Sequence, residues 1–366
     1  MKTVLRLFYV DIVSAVAFVA IAFLALFFFI DLVDELGDIG NGYTTLRATG
    51  YALLLAPGHL YELMPIAVLI GTIYALARLA QTSQYTILRT GGLGPGRALA
   101  LLTGLALMFG ALTFVVGDYG APFSERMASK VRASARGGVG LARGGAWIRD
   151  HGKSADGDRS YSIHIGSAEG AAELRDVRIF EFDPEGRLLS RTTAATARIG
   201  EGTWTLGDVA VTRWQTADAQ PSVRVERSPS LVWPSSLSPD VVAAAVLPVT
   251  TMSTHELWRY IGHLSDNEQA SQLQKIQFWK RALYPFACLV MVGLALPFAY
   301  LQARSGGVSL KVFVGIMLGV SFVLLNNVFR HLGLLGNWTP WLVAATPGAV
   351  YLLLSLGAFG WLVRHR

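Results

Sequence analysis

The sequence predicts a six-helix membrane protein that carries one antiparallel β domain between its third and fourth spans. Three observations carry that reading. Apolar runs fall at 8–30, 52–77, 98–116, 282–301, 312–329 and 341–363, and about 18 apolar residues with few charges suffice for a helix to cross a bilayer. Residues 118–281 are polar instead and broken into short alternating segments. The basic residues of the short connections are sorted onto alternate sides of the spans. Composition agrees: mean hydropathy is +0.44 and only 15% of residues are charged, against about 25% in soluble domains. A chain of 366 residues has room for roughly two domain-sized units, one in lipid and one in water.

The first run follows Lys2 and Arg6. It reads as a retained helix rather than a secretory signal, because Asp31-Leu32-Val33-Asp34-Glu35 comes next and not a small-residue cleavage site. Arg78, Arg89 and Arg97 separate spans two and three, Arg304 and Lys311 separate spans four and five, and Arg364 and Arg366 follow span six. The opposite connections hold Asp31, Asp34, Glu35 and Asp38 against Arg47, and Arg330 alone. The excess of basic residues marks the cytoplasmic side, so both termini are expected there and the large insert on the far side. Lys275, Lys280 and Arg281 run against the bias, after a long translocated segment where the rule is weak. The net charge of +6 is thus a topology signal and does not point to nucleic acid. Cys288, alone of its kind, excludes an internal disulfide and reads as a small apolar packing residue.

Within the insert, Tyr161, Ile163 and Ile165 alternate with polar neighbours, and 177–182 does so in part. Asp183-Pro184-Glu185-Gly186 is a turn signal; 194–199, 203–206, 209–214 and 223–225 continue the strands. Such regular spacing favours an antiparallel sandwich or jelly roll over an α/β fold. Residues 253–263 read as a helix with Ser253 as cap and Glu256 three residues on.

Chemistry-bearing motifs fail one by one. His255-Glu256-Leu257-Trp258-Arg259 opens like a zinc-protease helix, but Arg259 stands where the second histidine belongs. Asp156, Asp158 and His164 are more simply loop and strand-surface residues. Gly91-Gly92-Leu93-Gly94-Pro95-Gly96-Arg97 lacks the Gly-Lys-Ser/Thr of a phosphate cradle, and Pro95 removes a backbone donor. There is no Walker motif and no Gly-x-Ser-x-Gly elbow. A lipid- or glycan-modifying enzyme is disfavoured. The connection 78–97 reads in two ways. It is either a plain loop or a short helix over 83–90, capped by Ser83 and stopped by Gly91-Gly92, that offers Tyr85 and Leu88 to a partner groove.

Several stretches resemble the LptF/LptG permease family of lipopolysaccharide export. They are Met64-Pro65-Ile66-Ala67-Val68-Leu69-Ile70-Gly71 running on to Leu79-Ala80-Gln81-Thr82-Ser83, Tyr284-Pro285 with 291–298, and Leu325-Asn326-Asn327-Val328-Phe329. The likeness covers essentially the whole chain, and Phe29-Ile30-Asp31-Leu32-Val33-Asp34-Glu35-Leu36 favours the LptG branch. The resemblance implies an inner-membrane subunit without catalysis or cofactor of its own. It implies a heterodimer with an LptF-like permease, an LptB-like ATPase dimer that binds ATP and Mg, an LptC-like single-span protein and an LptA-like periplasmic jellyroll. It makes the insert a periplasmic β-jellyroll and divides the chain into spans one to three at 1–117, the jellyroll with flanking helices at 118–281, and spans four to six at 282–366. Ser83, Gln84, Tyr85, Ile87, Leu88 and Arg89 then belong to the ATPase-coupling helix, and spans one and five line the lipid cavity.

Two departures stand out against that family. Gln84 replaces a usual acidic residue, so the coupling contact rests on a neutral hydrogen bond with Tyr85 and Leu88. Asp31 and Asp38 lie where some relatives carry lysines; carboxylates repel lipid phosphates unless a divalent cation bridges them. Arg47, Lys130, Arg132 and Arg136 are alternative phosphate partners. Asn326 and Asn327 either bond between helices or face the cavity. The rival readings are a membrane-anchored β-domain scaffold or sensor, and a lipoprotein-releasing permease, which the six-span count disfavours.

Overall fold

The computed structural model describes residues 2–37, 39–40, 43–82, 95–136, 139–140, 145–154, 157–168, 173–200, 202–215, 222–235, 237, 242, 252–266, 271–300 and 307–364. Its helices are α1 (Lys2–Leu36), α2 (Thr45–Gln81), α3 (Pro95–Val115), α4 (Ala121–Arg136), α5 (Thr254–Asp266), α6 (Gln272–Tyr300), α7 (Val308–Leu335) and α8 (Pro340–Arg364). A π-helical turn, Val116–Gly120, joins α3 to α4. Among the described residues seven strands fall between α4 and α5: β1 (Val139–Gly140), β2 (Ala146–Ser154), β3 (Gly157–Ala168), β4 (Glu173–Phe182), β5 (Leu188–Ile199), β6 (Thr203–Gln215) and β7 (Ser222–Pro234). Among the described residues six helical stretches are long and apolar enough to cross a membrane, and all six sequence-predicted spans are found in them. The chain divides into two compact units. One comprises Met1–Gly37, Ala52–Ser124 and Gln272–Arg366; the other comprises Asp38–Tyr51 and Glu125–Ser271.

In the helical unit α2 is the central element, buried along most of its apolar length where α1 and α7 are largely open. Ile12 and Val16 of α1 pack on Leu69, Ile73 and Leu76 of α2, all close to fully buried. The helices approach so closely that a Cβ at Gly71 would lie 2.6 Å from the backbone of Val16; only glycine fits there, as at other tight helix crossings in membranes. α7 meets the same helix where Ile66 and Ile73 lie over Gly319 and Gly315. α6 packs on α3 and α8. Cys288 is fully buried with its Sγ 3.4 Å from Thr113 Oγ1, the packing role its surroundings predicted.

The sheet is antiparallel throughout, in the order β1-β3-β4-β5-β6-β7, with β2 also pairing β3. Its core face carries Ile148, Ile163, Ile165, Val177, Ile179, Trp204 and Leu206. The inward positions do not keep period two along the strands. They are spaced by three at Leu174/Val177, Ala194/Ala197 and Leu206/Val209. One row explains all three. Gly166, Asp176, Ala195, Asp208 and Pro229 interrupt the residue pairing on successive strands, and Asp176 and Asp208 take positive φ of 51° and 52°. A single extra residue would turn the rest of a strand inside out. Placed in register on five neighbouring strands, it keeps the same face inward across the break. A Cβ at Gly166 would lie 2.9 Å from Asp176, so the row also demands a glycine at its first member.

The turn at Asp183-Pro184-Glu185-Gly186 forms as the sequence predicts, with Gly186 at φ 79° and its N–H donated to Asp183 O at 3.0 Å. So does the capped helix α5. Ser253 N–H donates to Glu256 Oε2 at 2.8 Å, and Glu256 N–H donates to Ser253 Oγ at 3.3 Å, a reciprocal capping box. Arg126 of α4 also pairs with Glu256. Desolvation alone would raise the Glu256 carboxyl. The Ser253 backbone donor and the Arg126 guanidinium outweigh it and hold the group below the ordinary glutamate range.

Candidate functional site

The residues singled out in the sequence divide between the two units. Asp31, Asn326 and Asn327 belong to the helical unit, and Arg47, Arg132 and Arg136 to the sheet unit. Ser83, Gln84, Tyr85, Ile87, Leu88 and Arg89, with the 83–90 helix they would form, lie outside the described residues, and so does Asp38.

Asp31 is not a bare carboxylate. Helix α1 continues through it to Leu36, and its Oδ2 accepts a 2.7 Å hydrogen bond from His59 Nε2 on α2. A carboxylate only accepts, so Nε2 must carry the proton. Phe27, one turn before Asp31, rests its ring 4.9 Å from the imidazole. The pair ties α1 to α2 well away from the Gly71 crossing. Sequence reasoning missed His59, because a partner 28 residues distant leaves no periodic trace.

Arg132 of α4 lies with its guanidinium 5.2 Å from the centre of the Tyr51 ring and donates to Tyr51 Oη at 3.1 Å. Stacking on an aromatic face holds the guanidinium in one orientation. Arg47 is exposed one turn earlier on α2, and Lys130 is exposed on α4; Arg136 ends that helix. Asn326 spends its amide on Phe322 O of its own helix, at 2.9 Å. Asn327 is exposed, and its backbone carbonyl accepts from His331 Nδ1 at 2.8 Å.

Helices α1 and α7 present large apolar faces that the chain itself leaves open. Phe18, Ile21 and Phe29 on α1 and Phe313, Leu324 and Val328 on α7 are each more than half exposed. In water such faces would aggregate; in a bilayer they meet lipid or another subunit. Arg281, one of the basic residues that run against the charge bias, is drawn into helix packing instead. It is buried and hydrogen-bonded to Tyr61, and Tyr284 stacks 4.7 Å from Tyr61 and donates to Glu62 O at 2.5 Å.

Six apolar helices with open faces on α1 and α7, interrupted by one antiparallel sheet domain, define a multi-pass membrane protein with a water-facing β module. The chain belongs to the LptF/LptG family of lipopolysaccharide export permeases, whose profile, described as "Lipopolysaccharide export system permease LptF/LptG", matches residues 6–363. It is 28% identical over 344 residues to the lipopolysaccharide export system permease protein LptG of Escherichia coli K12, covering 92% of this chain and 91% of that one. It is 26% identical over 304 residues to the protein of the same name from Haemophilus influenzae, covering 82% of each. It is accordingly a multi-pass protein of the inner membrane.

Proposed function

We propose that this chain is the LptG-like permease subunit of an ABC transporter that extracts lipopolysaccharide from the inner membrane and passes it toward the outer membrane. The observation that carries the proposal is the family match over 6–363, which spans both helical segments and the sheet between them. Its partners are an LptF-like permease, an LptB-like ATPase dimer binding ATP and Mg, an LptC-like single-span protein and an LptA-like periplasmic jellyroll. The chain contributes no catalytic group. The basic connections and termini face the cytoplasm and the sheet domain faces the periplasm, in line with the charge bias.

The open apolar faces of α1 and α7 suit this role, because a lipid cavity shared with a second permease needs apolar walls that one subunit leaves uncovered. Nucleotide-driven closure of the ATPase dimer pushes the 83–90 helix and narrows that cavity, an interface shift of the kind that converts a small displacement into a change of state. Arg132, fixed on Tyr51, and Arg47 and Arg136 are the cations offered to lipid phosphates. Asp31, engaged by His59, is a helix-positioning group in this scheme. Leu88→Asp tests the coupling step by placing an unpaired charge in the ATPase groove. The expected result is loss of ATPase co-purification and of lipid release; survival of both overturns the assignment of 83–90.

A further inference from the structure

A cleft of about 250 Å3 runs between α6, α7 and α8 in the helical unit. Helix α8 leaves the space open because it contributes Ala344, Ala345, Gly348 and Ala349 to the lining, side chains too short to reach across. The cleft is polar at one end only. Helix α6 begins, α7 ends and α8 begins at the same end, where Gln272 Nε2 donates to Trp338 O at 2.6 Å. Lys280 and Asn326 line the cleft near that end, and Val290 and Leu352 line its depth. Ten residues of helix separate Lys280 from Val290, about 15 Å at 1.5 Å per residue, which is half of a hydrocarbon core about 30 Å thick. The cleft therefore spans one leaflet. Its mouth faces outward from the bundle through Phe286 and Leu352, which are 59% and 45% exposed.

Charge is concentrated at the polar end. Arg330, one turn beyond Asn326 on α7, and Arg281 both act on Lys280 as like charges, and Glu62 opposes them; Asp118 and Glu62 act with Arg281 on the neighbouring Tyr61. Among the described residues these are three cations to two carboxylates. At a membrane interface such an excess is stabilised by an anion, and the apolar groove beneath it is shaped for one hydrocarbon chain. Its volume lies below the roughly 300–1,000 Å3 of pockets for drug-sized ligands, so it takes a single chain and not the acyl cluster of a lipopolysaccharide.

We propose that the α6–α7–α8 cleft is a binding site for an anionic diacyl phospholipid of the bilayer, with its phosphate at Lys280 and Arg330 and one acyl chain lying along Phe286 and Leu352. This site is separate from the α1 and α7 faces assigned to cargo. The test uses the full chain in nanodiscs containing phosphatidylglycerol with a diazirine at the end of one acyl chain, or phosphatidylcholine labelled the same way, with adducts mapped by mass spectrometry. Phosphatidylglycerol adducts are expected on 286–290 and 345–352, on the order of ten-fold above phosphatidylcholine. Lys280→Gln with Arg330→Gln should lower them to the phosphatidylcholine level, and excess unlabelled lipopolysaccharide should leave them unchanged. Equal labelling by the two lipids in the unaltered chain, which requires no variant to fold, overturns the proposal. So does displacement by lipopolysaccharide, which would assign the cleft to the cargo.

Discussion

Replacing Gly71 by alanine adds one methyl group and moves a whole helix. The new Cβ would lie 2.6 Å from the Cα and N of Val16, where ordinary contact begins at 3.4 Å, so the α1 backbone must retreat by about 0.8 Å. No rotamer relieves the clash, because the obstructing atoms are main chain. The retreat loosens Ile12 and Val16 from Leu69 and Ile73, an interface now fully closed. Overpacking of this kind costs about 1–3 kcal/mol, less the ~0.5–1 kcal/mol that alanine gains over glycine inside a helix. Thermal unfolding of the full chain in detergent should therefore shift several degrees downward. Gly50→Ala on the same helix is the control: nothing lies within 4 Å of its added Cβ, so it should unfold at or slightly above the unaltered temperature. If Gly71→Ala unfolds no earlier than Gly50→Ala, the α1–α2 packing described above is wrong.

The Asp31–His59 pair should show coupling in a double-mutant cycle. Alanine at both positions should cost on the order of 1 kcal/mol less than the two single changes summed, and additive losses would deny the contact. Ser253→Ala should release the first turn of α5 at about 1 kcal/mol, read as faster amide exchange at 254–257; unchanged exchange would contradict the capping box. Because Glu256 titrates below its ordinary range, its contribution is complete above that range and is lost as pH falls through the lowered value. Glu256→Gln keeps the cap and should flatten the acid dependence of that exchange. An equally steep acid loss in the glutamine variant would exclude Glu256 as its source.

Local features were legible in the sequence and long-range ones were not. Each apolar run is its own evidence, so all six spans were found. Their ends were less visible: the first helix continues through Asp31, Asp34 and Glu35 to Leu36, because backbone bonding does not stop where hydropathy does. The Asp183–Gly186 turn and the Ser253–Glu256 cap depend on neighbours three residues apart and read correctly. The strands at 203–206 and 209–214 are one strand, β6, interrupted by Asp208. A period-two pattern breaks at such a residue, and only its alignment with Ala195 on the adjacent strand and Asp176 on the strand beyond shows why. The contacts of His59, Tyr51 and Tyr284 join distant helices and leave no spacing to read. Asp31 illustrates the cost: judged alone it was a repulsive carboxylate, whereas the fold gives it an imidazole donor.

Transport itself is the most direct test. Proteoliposomes containing this chain, an LptF-like partner and the ATPase, loaded with labelled lipopolysaccharide, should transfer label to a soluble periplasmic jellyroll acceptor when ATP and Mg are added. Leaving out this chain should abolish the transfer. Transfer that proceeds equally without it, or without ATP hydrolysis, would contradict the assignment of the chain as an export permease.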